Sequence, residues 1–103
     1  LAYRALRFAR NDKTELPGFD EGLFAANSGA NRRSLEDVIA EMRLVRESSA
    51  MLFATFDETA LRRTGVMFKS ELPVLAIGFT IAGHQKHHFR IMEERYFPLL
   101  ENA

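Results

Sequence analysis

Two stretches of this chain space their apolar residues at alternating intervals of three and four, the pattern of a helix that buries one stripe against other helices. The first stripe runs Leu35, Val38, Met42, Val45, Ser49, Leu52 and Phe56, with charges on the opposite face. Ser34 precedes it as an N-cap, and Glu36 and Asp37 suit the positive start of a helix. The second stripe runs Val74, Ile77, Ile81, His84, His88, Ile91 and Arg95. Its helix is expected to start at a Ser70 cap with Pro73 in the first turn, and to run to about Phe97, where Pro98 ends it. A second apolar line on the same helix, Leu75, Phe79, Ala82, Phe89, Met92 and Tyr96, predicts that it is covered on two sides.

The remaining segments fit the same helical scheme. Leu1 to Arg10 is rich in Ala, Leu and Arg and reads as the end of a helix whose start is missing, closed by Asn11-Asp12. A long connection to about Arg33 holds the turn Leu16-Pro17-Gly18-Phe19-Asp20 and a short helix over Glu21 to Ala26. Asp57 to Lys69 is a connector with a short helix over Glu58 to Arg62 and a stop at Gly65. Phe19, Phe24, Phe53 and Phe56 are expected in the core, with Leu16 to Phe19 as a packed turn that plugs one end. No internal repeat or domain boundary is visible. Residues 1–103 are therefore read as one all-α domain, an up-and-down four-helix bundle that is incomplete on its N-terminal side. The missing helix is expected either upstream of Leu1 or from a second subunit.

Composition narrows the function classes. At 47% apolar residues, 103 residues suffice for one core. Lys+Arg and Asp+Glu are both 14, which argues against a dedicated nucleic-acid binder and leaves little repulsion against self-association. With no cysteine, disulfides and thiolate metal sites are excluded. The longest apolar run, Val74 to Gly83, is about half of what spans a bilayer, so no membrane partner is expected. The cytoplasm is the default location.

All three histidines fall between positions 84 and 88. In a helix His84 and His88 stand on adjacent turns, with Cβ atoms about 6 Å apart. Both lie in line with the apolar stripe, while His87 falls on a more polar edge with Thr80, Gly83, Arg90 and Glu94. Two readings are open. The pair is either a polar layer hydrogen-bonded to its neighbours, or two ligands of one divalent ion. Burying two imidazoles without partners is costly, and a metal supplies both partners at once. The Glu-x-x-His pattern of di-iron bundles is absent, because Ile81 and Gln85 stand three residues before the two histidines, so a mononuclear site is expected. Gly83 is expected to let another backbone approach the first ligand. His87 is the nearest candidate for a general base by sequence and more readily an edge histidine. Arg4, Arg7 and Arg10 read as a solvated or salt-bridged face. No residue is assigned as catalytic.

The stretch Ile81 to His88, followed by Glu93-Glu94-Arg95-Tyr96, resembles the metal-binding last helix of the DinB/YfiT-like superfamily. Ala2 to Asp12, Leu16 to Phe19 and Asn31 to Leu35 are similar to segments of the same superfamily. The resemblance implies a four-helix bundle, often dimeric, with a divalent metal (Zn, Ni or Fe) held by three histidines. By position it makes His84 and His88 two of them, and puts the third about two turns before Leu1. It also implies a metal-dependent transferase or hydrolase acting on a small molecule, with a low-molecular-weight thiol as cofactor in some members. The competing reading is a non-catalytic, dimeric helical interaction or stress-related protein in which the histidines form a structural layer.

Overall fold

The computed structural model describes residues 1–101, with side chains through Leu100; the last two residues of the domain expected over the whole chain lie outside the described residues. The order is α1 (Ala2–Ala9), α2 (Glu21–Ala26), a 3₁₀ turn (Ala30–Arg32), α3 (Leu35–Ala54), α4 (Glu58–Arg62), β1 (Thr64–Met67), β2 (Ser70–Pro73), α5 (Val74–Ile91), a π turn (Met92–Tyr96) and α6 (Phe97–Glu101). The molecule is mostly helical with one small sheet. Side chains cap three of the helices where the sequence places acceptors. Ser34 accepts from the Asp37 N–H at 3.1 Å, Asp20 from the Leu23 N–H at 3.0 Å and Asp57 from the Ala60 N–H at 2.8 Å. The short helices α2 and α4 thus form where the sequence predicts them.

The expectation of an all-α chain fails between Arg63 and Val74. Ser70 does not cap the last helix; Ser70–Pro73 is a strand, paired antiparallel with Thr64–Met67. Phe68 and Lys69 form the two-residue loop with φ of 53° and 64°, the left-handed pair of a type I′ turn. That turn ordinarily carries Asn or Gly, so its usual signal is absent. A two-stranded ribbon is marginal by itself. This one is held by the core. Gly65 lies under the Phe8 ring, where any Cβ would clash, and Met67 is buried beside it. Pro73 then serves as the N-cap residue of α5, and the Val74 N–H bonds the Arg63 carbonyl at 2.8 Å.

The far end of α5 also departs from expectation. Helical structure does not stop before Pro98 but passes through the π turn into α6, with Pro98 in its first turn. Proline lacks the N–H of an α-helical bond, and its ring crowds the carbonyl four residues back. A π turn shifts that register by one residue and relieves the conflict.

The buried core is small: Ala5, Phe8, Ala9, Met67, Val74 and Ile77. It joins α1, the hairpin and the first half of α5, while Phe53, Phe56, Leu61 and Ile81 pack on its margin. Arg63 closes it by donating to the Ala9 carbonyl at 2.5 Å, a cation at a helix C-terminus. The predicted stripe of α3 is only partly used. No α3 residue is fully buried; Ser49, Leu52 and Phe53 are half-buried, whereas Leu35 is 74% exposed. The second line of α5 is open as well, with Phe79 73% exposed, so cover on two sides is not found.

Phe19 and Phe24 lie outside the core and stack on each other at 4.7 Å between ring centroids. Leu16 is half-buried, but Pro17, Gly18 and Phe19 are exposed, so that turn plugs nothing. Length explains much of the openness: α1 has 8 residues (about 12 Å) against 18 in α5 (about 27 Å). The molecule measures 52 × 27 × 23 Å, and its radius of gyration of 16.4 Å exceeds the about 13 Å of a compact chain of this length.

Candidate metal site

Helices α3 and α5 run antiparallel. The Phe53 ring sits over Gly78, where a Cβ would approach it to 2.8 Å, and about two turns further along α5 the Arg46 guanidinium donates to the Gln85 carbonyl oxygen. These contacts fix α5 beside α3 just where the histidines begin. The start of α1 reaches the same region from the other side. Between the three helices lies a cleft of about 580 Å³ whose walls include Tyr3, Met42, Val45, Ile81, Phe89 and Met92.

His84 and His88 line this cleft together with Gln85. Both rings are exposed, so the stripe that predicts them in a bundle interior delivers them to an open wall. Helical spacing brings the two rings edge to face, 4.5 Å between centroids, with their Nε2 atoms 3.0 Å apart. Two nitrogen donors about 2.1 Å from one ion and at right angles to each other stand about 3.0 Å apart, and at the tetrahedral angle about 3.4 Å. The separation fits two neighbouring ligand positions. It equally fits an N–H···N hydrogen bond in which one imidazole donates and the other accepts.

His87 is exposed on the adjacent line, its ring centroid 5.7 Å from that of His88. Among the described residues, no third His, Cys, Asp or Glu joins the pair to complete a ligand set. Arg46 is the only charged side chain on the cleft wall among them. The space around Gly83 is open: a Cβ there would meet nothing within 4 Å, so the close backbone approach expected beside His84 is not found.

Two features of the site were not readable from the chain. The Arg46–Gln85 contact joins residues 39 apart, and no local spacing announces it. The presence of Leu1, Ala2 and Tyr3 on the cleft wall depends on how α1 crosses α5. The arginines of α1 behave as the sequence predicts for a paired face. Arg7 bridges Asp12 at 2.7 Å, and Arg4 donates to the Pro17 carbonyl at 3.1 Å. No helix among the described residues is long and apolar enough to cross a membrane. No family model matches the chain, and no curated protein or solved structure matches it either.

Proposed function

We propose that this chain is a DinB-like metal-binding helical bundle, with His84 and His88 as two ligands of one divalent ion, Zn, Ni or Fe. The observation that carries the reading is the pair of Nε2 atoms 3.0 Å apart on the wall of a cleft large enough for a small molecule. When bound, the ion would supply Lewis acidity, lowering the pKa of water or of a low-molecular-weight thiol in a transferase or hydrolase reaction. The chain's own residues hold and shape the site. His84 and His88 present nitrogen to the ion, and the Arg46–Gln85 contact keeps α3 and α5 in register beside them. Met42, Ile81 and Met92 give apolar walls that limit water, and Arg46 offers a cation to an anionic group of the substrate. The third ligand in this reading is a histidine from outside the described residues, entering on the side of the cleft where Leu1, Ala2 and Tyr3 lie.

A second reading is favoured by the same distance. The histidines already satisfy each other as a hydrogen-bonded pair, which suits a structural layer in a non-catalytic interaction protein. Titration of the metal-free protein with Zn²⁺ and Ni²⁺, read by calorimetry and by metal analysis after dialysis, separates the two. The metal reading expects about one ion per chain, lost in His84→Ala and in His88→Ala and retained in His87→Ala. An absence of saturable binding, with both variants melting like the parent, would overturn it in favour of the structural pair.

A further inference from the structure

The side of the α3–α5 pair turned away from the α1 side is a groove of about 400 Å³, with small residues (Ser49, Ala50, Gly78 and Ala82) along its bottom. Phe79 stands on its edge, 73% exposed, next to Leu75 at 47%. A large ring beside a hole made of small side chains is a self-complementary surface, because a two-fold operation places each ring in the other copy's hole. We propose that this groove is the contact surface of a homodimer, filled by Phe79 of a second copy of this chain. The proposal does not depend on a metal at the histidines, which face the opposite cleft.

Surface area argues for an occupant of that size. The chain exposes 8374 Å², whereas a compact chain of 11.7 kDa exposes about 5,900 Å². The excess, about 2,500 Å², exceeds the roughly 800 Å² per partner that a stable interface needs. A small ligand could not cover it; a second pair of long helices could. Two copies of α3 and α5 make four antiparallel helices, the number that closes a bundle.

Charge points the same way. Lys86 borders the lower part of the groove on α5, and Glu47 lies on α3 one turn before Ala50, on the same face. The pairing of Arg46 with Gln85 sets these two positions at one level of the bundle. Neither has an ion partner within the chain among the described residues. With the two-fold axis along the bundle, α3 of one copy lies beside α5 of the other, and each Glu47 meets Lys86 of the second copy. A net charge of zero leaves no general repulsion to overcome.

Sedimentation equilibrium of the whole chain from low micromolar to millimolar concentration tests this, with circular dichroism as a check on folding. The expected result is a dimer whose dissociation constant rises roughly 30-fold or more in Phe79→Asp. Because Phe79 is exposed in the single chain, that variant keeps its helical spectrum. Glu47→Lys and Lys86→Glu each weaken association by about fivefold or less, and the double exchange restores it. A folded monomer over the whole range would overturn the proposal, and so would a dimer indifferent to Phe79→Asp, which would place its contact elsewhere. A monomer that binds a hydrophobic dye in this groove would also overturn it, since the groove then serves a different occupant.

Discussion

The two halves of α5 carry the same three-and-four spacing and end in opposite conditions. In the first half, Val74 and Ile77 are buried beneath α1 and the hairpin. In the second, His84 and His88 stand exposed on an open cleft, with α3 as wall and the start of α1 at its rim. The difference lies in what reaches each half. Eight residues of α1 cover about 12 Å of a helix more than twice as long. Periodicity declares which face a helix would bury. Whether that face is buried depends on the length of its neighbours.

Large-to-small substitution in each half challenges this difference most directly. Ile77→Ala removes a fully buried side chain from a packed cluster and should cost about 2–5 kcal/mol. Val45→Ala, on the cleft wall and mainly exposed, should cost about 0.5 kcal/mol or less. Urea unfolding of the two variants measures both. Similar losses would mean that the histidine half is covered in solution, and the two halves would then not differ.

The same contrast explains how much could be read from the chain. Ser34, Asp20 and Asp57 announce the starts of α3, α2 and α4, because an N-cap is a local device that acts within three residues. The pairing of His84 with His88 was legible for the same reason: one helix turn fixes it. The hairpin was not. Its turn uses Phe68 and Lys69 where Asn or Gly would be the signal, and its stability comes from Phe8, more than fifty residues earlier. Phe19 and Phe24 misled because aromatic residues usually find a core; here they find each other. A seam of α3 that extends past its neighbours looks, in sequence, the same as one that does not.

The hairpin offers a test of intermediate size at the closed end. Phe68 and Lys69 both hold left-handed backbone, which costs a non-glycine residue roughly 1–2 kcal/mol. Against that, Arg4 lies 5.6 Å from the centroid of the Phe68 ring, an exposed cation–π contact of about 0.5–1 kcal/mol. Replacing the pair by Asn-Gly should therefore stabilise the protein by about 1 kcal/mol, seen as a higher midpoint in denaturant. Destabilisation instead would show that the Phe68 ring contributes more to closing this end than its exposure suggests.

The smallest effect concerns the strap that fastens the end of α1. Asp12 accepts from the Thr14 N–H at 3.0 Å and from Arg7 at 2.8 Å, while Asn11 turns the chain with φ of 66°. The hydrogen bonds from Thr14, and then that from Arg7, hold its carboxyl at about 2, below the ordinary 3.8. A depressed carboxylate binds protons more weakly folded than unfolded, so its stabilisation is complete above about 3.8 and fades as the pH falls toward 2. The parent should lose stability across that window by more than Asp12→Asn, whose side chain does not titrate. The group is solvent-exposed, so the gap between the two acid-unfolding curves should be small and shrink further in salt. Parallel curves would show that the strap does not couple α1 to the closed end. A divergence confined to this window would show that the closed end of the molecule is fastened from its surface as well as from its core.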